Sequence, residues 1–286
     1  MPGTSRGCDL SRAETATGTT SGGSRILGAS GAINLSVGSV VALVSVTVGQ
    51  LMVTAGLPPV LATIGALVVG ALVGVFNGAV VAYTRIPSFV VTLGMLAMAS
   101  GLALGITQGQ TISGFPQGFL VIGQGSTLGV PNPVWPAAVA AVVAQLVLAR
   151  TTFGRHVYLL GSNEQAALLS GIAVRRTKIL IFMVASTLAA CAAIVETAGL
   201  TVGQVSAGAG YELAAIGAVV IGGASLFGGE GSILGTVLGT TLLGLILNGL
   251  ILLGISAYWQ QVFSGAVIIL AVALNLAPTA SQVRHR

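Results

Sequence analysis

GGASLFGGEGSILGTVLG, residues 222–239, holds seven glycines in eighteen positions. It reads either as a cradle for a phosphate or as a break between membrane helices. A phosphate loop of the Walker kind carries a lysine after its glycines to reach the terminal phosphates. Here no Lys or Arg lies between Lys178 and Arg284. An anion would meet only backbone amides and the Glu230 carboxylate, so the glycines are read as helix punctuation and packing.

The surroundings agree. Of 286 residues, 54% are hydrophobic and only 6% charged, where a soluble domain carries about a quarter charged residues. From Gly31 to Ala149 the one formally charged side chain is Arg85, and a soluble fold of that length could not clothe its surface so sparsely. The fold class expected is therefore all-α, a polytopic transmembrane helix bundle of about eight spans, with a broken or re-entrant helix near 222–231. The net charge of +5 does not imply nucleic acid, because the basic residues fall between apolar runs and form no patch with aromatic platforms. Cys8, Cys191, His156 and His285 have no metal-ligand spacing.

Residues 1–30 differ from the rest. Sixteen of them are Gly, Ser or Thr, and with no continuous apolar run they read as a disordered polar tail, not a secretory signal. A permease domain follows over 31–277, then a tail over 278–286. Spans of about 20 residues are expected near 36–56, 59–82, 87–107, 134–150, 178–200, 213–227, 232–252 and 258–277. The loop from Arg150 to Lys178 carries five of the eleven positive charges, which assigns it to the cytoplasm. Threading eight spans from that anchor puts both termini and all eleven Lys and Arg on the cytoplasmic side of the membrane. The uncharged 108–133 segment and the loop leading to Glu212 then face outward.

Glycines recur at spacing four: Gly70, Gly74 and Gly78; Gly101, Gly105 and Gly109; Gly231, Gly235 and Gly239. Each set clears one helix face for close backbone packing in lipid. No paired acids, activated nucleophile or metal cluster is present, so the chain is not expected to be an enzyme. Glu164 reads as a solvated or partner-facing charge and Glu196 as interfacial. No carboxyl is clearly placed at mid-membrane, which argues against a proton-driven pump. Asn77, Thr92, Ser100 and Asn248 are candidates for a translocation path, since amides and hydroxyls exchange hydrogen bonds with a sugar without burying charge. Each also serves as interhelical glue in the alternative reading.

Two longer blocks carry a family resemblance: GYELAAIGAVVIGGASLFGGEGSILGTVLGTTLLGLILNGLILLG (210–254) and RTTFGRHVYLLGSNEQAALLSGIAV (150–174). With INLSVGS (33–39) and IPSFVVTLGMLAMASGLAL (86–104), they resemble the permease subunits of ribose-type carbohydrate ABC importers. The resemblance implies a subunit that forms the transmembrane path, binds no cofactor itself, and couples to a separate ATPase that binds ATP. It also implies a second permease copy, a soluble solute-binding protein delivering a monosaccharide, and contact with membrane lipid but not nucleic acid. By the same resemblance GSNEQAALLSG forms a short cytoplasmic helix that docks on the ATPase, with Gly161, Asn163, Glu164, Ala166, Ala167, Ser170 and Gly171 as coupling residues.

Two departures stand out. Asn34 and Ala214 occupy positions where the family pattern has Asp, and the polar tail replaces apolar sequence that family members carry before INLSVGS. A truncated or misread N-terminus is the expectation from the second. A self-contained facilitator or ion-coupled carrier, and a membrane fragment lacking helices, remain as alternatives.

Overall fold

The computed structural model describes residue 30 and residues 32–127, 129–223, 228, 232–256, 259, 260, 262–267, 269 and 273. Helix α1 (Val37–Gly49) runs into a π-helical turn, Gln50–Thr54. Helices α2 (Pro59–Tyr83), α3 (Ser88–Thr107), α4 (Gln117–Gln124) and α5 (Val134–Arg150) follow, each begun by a proline: Pro58 and Pro59, Pro87, Pro116 and Pro133. Proline suits these starts because its fixed φ matches the helix and its missing N–H would have had no intrahelical acceptor. Then come α6 (Thr152–Ser162), α7 (Glu164–Leu169), α8 (Val174–Leu200), α9 (Tyr211–Ile221) and α10 (Ile233–Leu252). Two-residue strands pair antiparallel, β1 (Ile112–Ser113) with β4 (Val202–Gly203) and β2 (Ser126–Thr127) with β3 (Val130–Pro131).

Among the described residues, five helices are long and apolar enough to cross a membrane: α1 with its π turn, α2, α3, α8 and α10. The α5–α6 pair, bent by 76°, makes a sixth if taken as one span. α5 covers the span expected at 134–150, and α6 leaves it at the bend. Half of the span expected at 258–277 lies outside the described residues, as do nearly all of the tails at 1–30 and 278–286 and most of the break at 222–231.

α1 occupies the centre. All its residues but Thr47 are buried, as expected of a helix apolar on every side. α8 lies beside it, whereas α2, α3 and α10 turn most of their surface outward. On α2 the outward face is an exposed stripe at spacing four, Val60, Ile64, Val68, Leu72 and Phe76, suited to hydrocarbon. The opposite face is the glycine set. A Cβ on Gly70 would lie 2.5 Å from Ala190 Cβ, one on Gly74 2.7 Å from Met183 Cα, and one on Gly78 2.6 Å from Ile179 Cα. α2 therefore packs on α8 at a distance only glycine permits. Gly235 and Gly239 play the same part in the α9–α10 pair, against Gly222 and Ala218, while Gly231 lies outside the described residues. The third set does not pack. A Cβ on Gly101 or Gly105 would meet no atom within 4 Å, and one on Gly109 would meet only Leu104. Spacing four clears a face, but it does not say which neighbour arrives.

On the span expected at 213–227 lies α9, and residues 224–227 of that span are outside the described residues. After α8 ends at Thr201, in left-handed conformation, β4 places Gly203 against the Ser45 carbonyl. The chain then runs without helix alongside α1 until Gly208 meets Gly38 and Val41. From Ser45 to Gly38 is seven residues of helix, about 10 Å. α9 starts only there, with Gly210 at φ +85°, and ends where Gly222 meets Gly235 near the start of α10. Residues 204–210 are irregular backbone, which apolar surroundings tolerate only when protein covers it or it lines a cavity.

Candidate functional site

The described Lys and Arg residues gather at one end of the bundle. Arg85, Glu164 and Lys178 line one cavity of about 460 Å³ with Leu160, Ile181 and Phe182. The Arg175 guanidinium stands 5.4 Å from the centre of the Tyr83 ring, a cation–π distance. Arg150 closes α5 at its bend into α6. This sorting has the form of the positive-inside pattern.

At this basic end the segment 161–171 is not one helix. Gly161 and Ser162 finish α6, and Asn163 breaks the chain by adopting extended conformation. Its Oδ1 accepts from the amides of Gln165 and Ala166 at 2.9 and 3.0 Å, capping α7. Ser170 closes the other end, its Oγ donating to the Ala166 carbonyl at 2.8 Å, and Gly171 turns the chain at φ +78°. Ala167 is 1% exposed and packs among Leu160, Ile172, Val174 and Ile181. Ala166 faces out, and beside it Leu168 and Leu169 are 64% and 89% exposed. Sequence reasoning misses these two leucines because an apolar residue in an amphipathic loop helix is ordinarily turned inward. Lys178 at the start of α8 bonds Glu164 at 2.6 Å, so Glu164 faces its own chain.

Asn77 and Thr92 come together around the entry to α1. Asn77 Nδ2 donates to Ser36 Oγ at 3.1 Å, and Ser36 Oγ donates to Asn34 Oδ1 at 2.7 Å. The same Asn34 oxygen accepts from the Ser36 amide at 2.9 Å, and the Leu35 amide donates to Thr92 Oγ1 at 3.1 Å. Both candidates are fully buried. The network pins the start of α1 to α2 and α3, with Asn34 Nδ2 and Asn77 Oδ1 left unpartnered. The Asx turn at Asn34 needs only a side-chain oxygen, which Asn supplies as well as Asp. Asn248 stands apart on α10, which packs mainly on α9 and α5, and its buried Oδ1 has no partner.

Ser100 lies elsewhere, in the second half of α3. It lines a cavity of about 200 Å³ with Leu96, with Gly38, Ser39 and Ala42 of α1, and with Val205, Ala207, Ala209, Gly210 and Glu212. Glu212 lies in the first turn of α9, where helix begins again after the irregular stretch. A Cβ on Gly38 would collide with Glu212 Oε2 and the Gly208 carbonyl, so the bare glycine is what admits the carboxylate. Glu196 lies near the end of α8, covered by protein. It is 8% exposed and lies beside the Tyr211 side chain and the Gly208 backbone, with Oε2 unpartnered. The sequence does not reveal these surroundings, because the run GLTVGQVSAGAG (199–210) reads as a surface loop, while its small residues let it pack against α1. Among the described residues no group of three or more His, Cys, Asp or Glu is placed to hold a metal.

Residues 19–272 match the family described as branched-chain amino acid transport system / permease component. The ribose import permease protein of Escherichia coli (strain K12) is 40% identical over 247 residues, covering 85% of this chain and 77% of that protein. The D-allose transport system permease protein of the same organism is 38% identical over 244 residues, 85% of this chain and 74% of its own length. The xylose transport system permease protein of Haemophilus influenzae is 33% identical over 304 residues, with 85% and 81% covered. No solved structure matches at a significant level.

Proposed function

The chain belongs to the branched-chain amino acid transport system / permease component family, and on that premise we propose that it is the membrane-spanning permease subunit of an ATP-driven monosaccharide importer. The observation that carries this reading is 40% identity to a ribose import permease over 85% of the chain, with allose and xylose permeases alongside. The chain is a multi-pass inner-membrane protein that forms the path and relies on a separate ATPase and a soluble binding protein. It works with a second permease copy, and both termini are cytoplasmic. The clustering of Arg85, Arg150, Arg175 and Lys178 at one end supports that orientation.

The coupling face in this reading is α7. A groove on the ATPase takes Ala166, Leu168 and Leu169, the apolar surface that α7 turns away from its own chain. Movement reaches the path because α7 is seated twice, by Ala167 among α6 and α8 side chains and by the Glu164–Lys178 pair. Closing of the ATPase pair on ATP then swings α6, α7 and the start of α8 together. Asn77 and Thr92 act as glue holding α1, and Ser100 faces the path.

The test is uptake of radiolabelled ribose, allose, xylose and arabinose by proteoliposomes holding the purified chain, alone or with its ATPase and binding protein. Uptake only from the complete set, and only with ATP, is expected. Uptake by the chain alone contradicts the reading and identifies a self-contained carrier.

A further inference from the structure

We propose that the cavity between α1, α3 and α9 is a halting point for a neutral polyhydroxylated solute, held by the Glu212 carboxylate and the Ser100 hydroxyl. This rests on the sugar-importer reading and adds to it the site and its chemistry. Three independent elements build the cavity: α1 gives Gly38, Ser39 and Ala42, α3 gives Leu96 and Ser100, and the irregular stretch with the start of α9 gives Val205, Ala207, Ala209, Gly210 and Glu212. At about 200 Å³ it is smaller than a drug-sized pocket, and it suits a small polyol. Irregular backbone at this depth is itself a sign of a cavity with a use, since it persists only where it is covered or lines such a space.

The polar inventory narrows the ligand. Ser39 Oγ is committed to the Ser36 carbonyl at 2.9 Å, which leaves Ser100 and Glu212 as the side chains facing the space. An ionised carboxylate is acceptor-only and offers two oxygens side by side, a match for two neighbouring hydroxyl donors. The serine hydroxyl donates or accepts, so it serves a ring or hydroxyl oxygen. No Lys or Arg lines the cavity. A zwitterionic amino acid would bring its own carboxylate against Glu212 with no cation to hold it, so the site disfavours the substrate class for which the family is named. A hard metal cation needs about six oxygen ligands, more than these side chains provide.

Gly38 is part of the site by omission. The volume a Cβ would take is occupied by the carboxylate oxygen and the Gly208 carbonyl, so any side chain at 38 drives Glu212 out of place.

The experiment uses the complete reconstituted importer with ribose and its monodeoxy analogues as probes. Because the binding protein sets the concentration dependence of delivery, the cavity acts on the maximal rate and on sugar moved per ATP hydrolysed. Glu212→Gln and Ser100→Leu should each lower maximal ribose uptake about tenfold, the scale of a lost charged hydrogen bond. ATPase co-purification and ATP hydrolysis should stay within about twofold of the parent. Glu212→Gln should also erase the preference for ribose over at least one deoxyribose, an effect that weakened folding does not produce. Leu213→Ala, on the exposed side of the same helix turn, should change nothing. Unchanged uptake in Glu212→Gln, or lowered uptake with the deoxyribose preferences intact, overturns the proposal. A parent importer that moves no sugar overturns the importer reading instead.

Discussion

Lys178 Nζ lies 2.6 Å from Glu164 Oε1, across a cavity bordered by Arg85 and Leu160. The pair joins the first residue of the short helix α7 to the start of α8, which runs the length of the bundle against α1 and α2. The Lys178 side chain is 21% exposed and the Glu164 side chain 57%. The bond is therefore worth little as stability, about 0.2–1 kcal/mol. Its value lies in direction, because it fixes how α7 is presented. Glu164→Gln and Lys178→Met should shift thermal unfolding in detergent only slightly. They should lower uptake per ATP hydrolysed several-fold, with partial recovery in the swapped double variant. Unaltered coupling in all three would remove this pair from the transmission path.

Ala167 and its neighbours should separate seating from docking. Ala167→Glu would place a charge among Leu160, Ile172, Val174 and Ile181, which costs several kcal/mol unless α7 leaves its seat. Limited proteolysis should then cut between Gly161 and Gly171 faster than in the parent. Equal cleavage rates would mean that the inward face of α7 is misassigned.

Gly74 offers a test of packing in lipid. A Cβ there would already lie 2.5 Å from the Phe182 carbonyl and 2.7 Å from Met183 Cα, both backbone atoms that cannot swing aside. Gly74→Leu should lose most of the detergent-stable protein, by more than the 1–3 kcal/mol typical of overpacking. Gly249→Leu, with nothing within 4 Å, should be tolerated. Quantitative size-exclusion recovery compares the two, and equal recovery would contradict the α2–α8 contact.

Asn77→Ala should cost about 1 kcal/mol, the net worth of one buried hydrogen bond. It removes a single link to Ser36 and leaves the Asn34 turn intact. Asn34→Ala should cost more, since it strands both the Ser36 hydroxyl and the Ser36 amide. Thermal unfolding of the detergent-solubilised protein orders the two, and the reverse order would contradict the network as described.

Much of the bundle is legible in the sequence because membranes impose simple rules. Long apolar runs set α1, α2, α3, α8 and α10, and glycines at spacing four mark α2 and α10 as close-packing faces. What fails is the line between loop and interior. Small residues from Gly199 to Gly210 are as compatible with buried irregular backbone as with a surface turn, and no periodicity distinguishes them. Sequence reasoning therefore leaves Glu196 at the outer end of its span and Glu212 at the end of an outward loop, and does not show that Glu196 is covered beside Tyr211 or that Glu212 lines a cavity against α1. The same limit applies to α7, where the sequence marks the segment but not its faces. Ala167 points inward, while Leu168 and Leu169, which carry the outward apolar surface, escape notice in the sequence.

The decisive measurement is affinity capture of the tagged chain with its ATPase from native membranes, comparing the parent with Leu169→Glu. Leu169 is 89% exposed and makes no core contact, so the substitution leaves the bundle intact. The ATPase should be recovered with the parent and lost with Leu169→Glu, while both proteins elute at the same position in detergent. Retention of the ATPase by Leu169→Glu would contradict docking through α7, and its absence from the parent would contradict the importer itself.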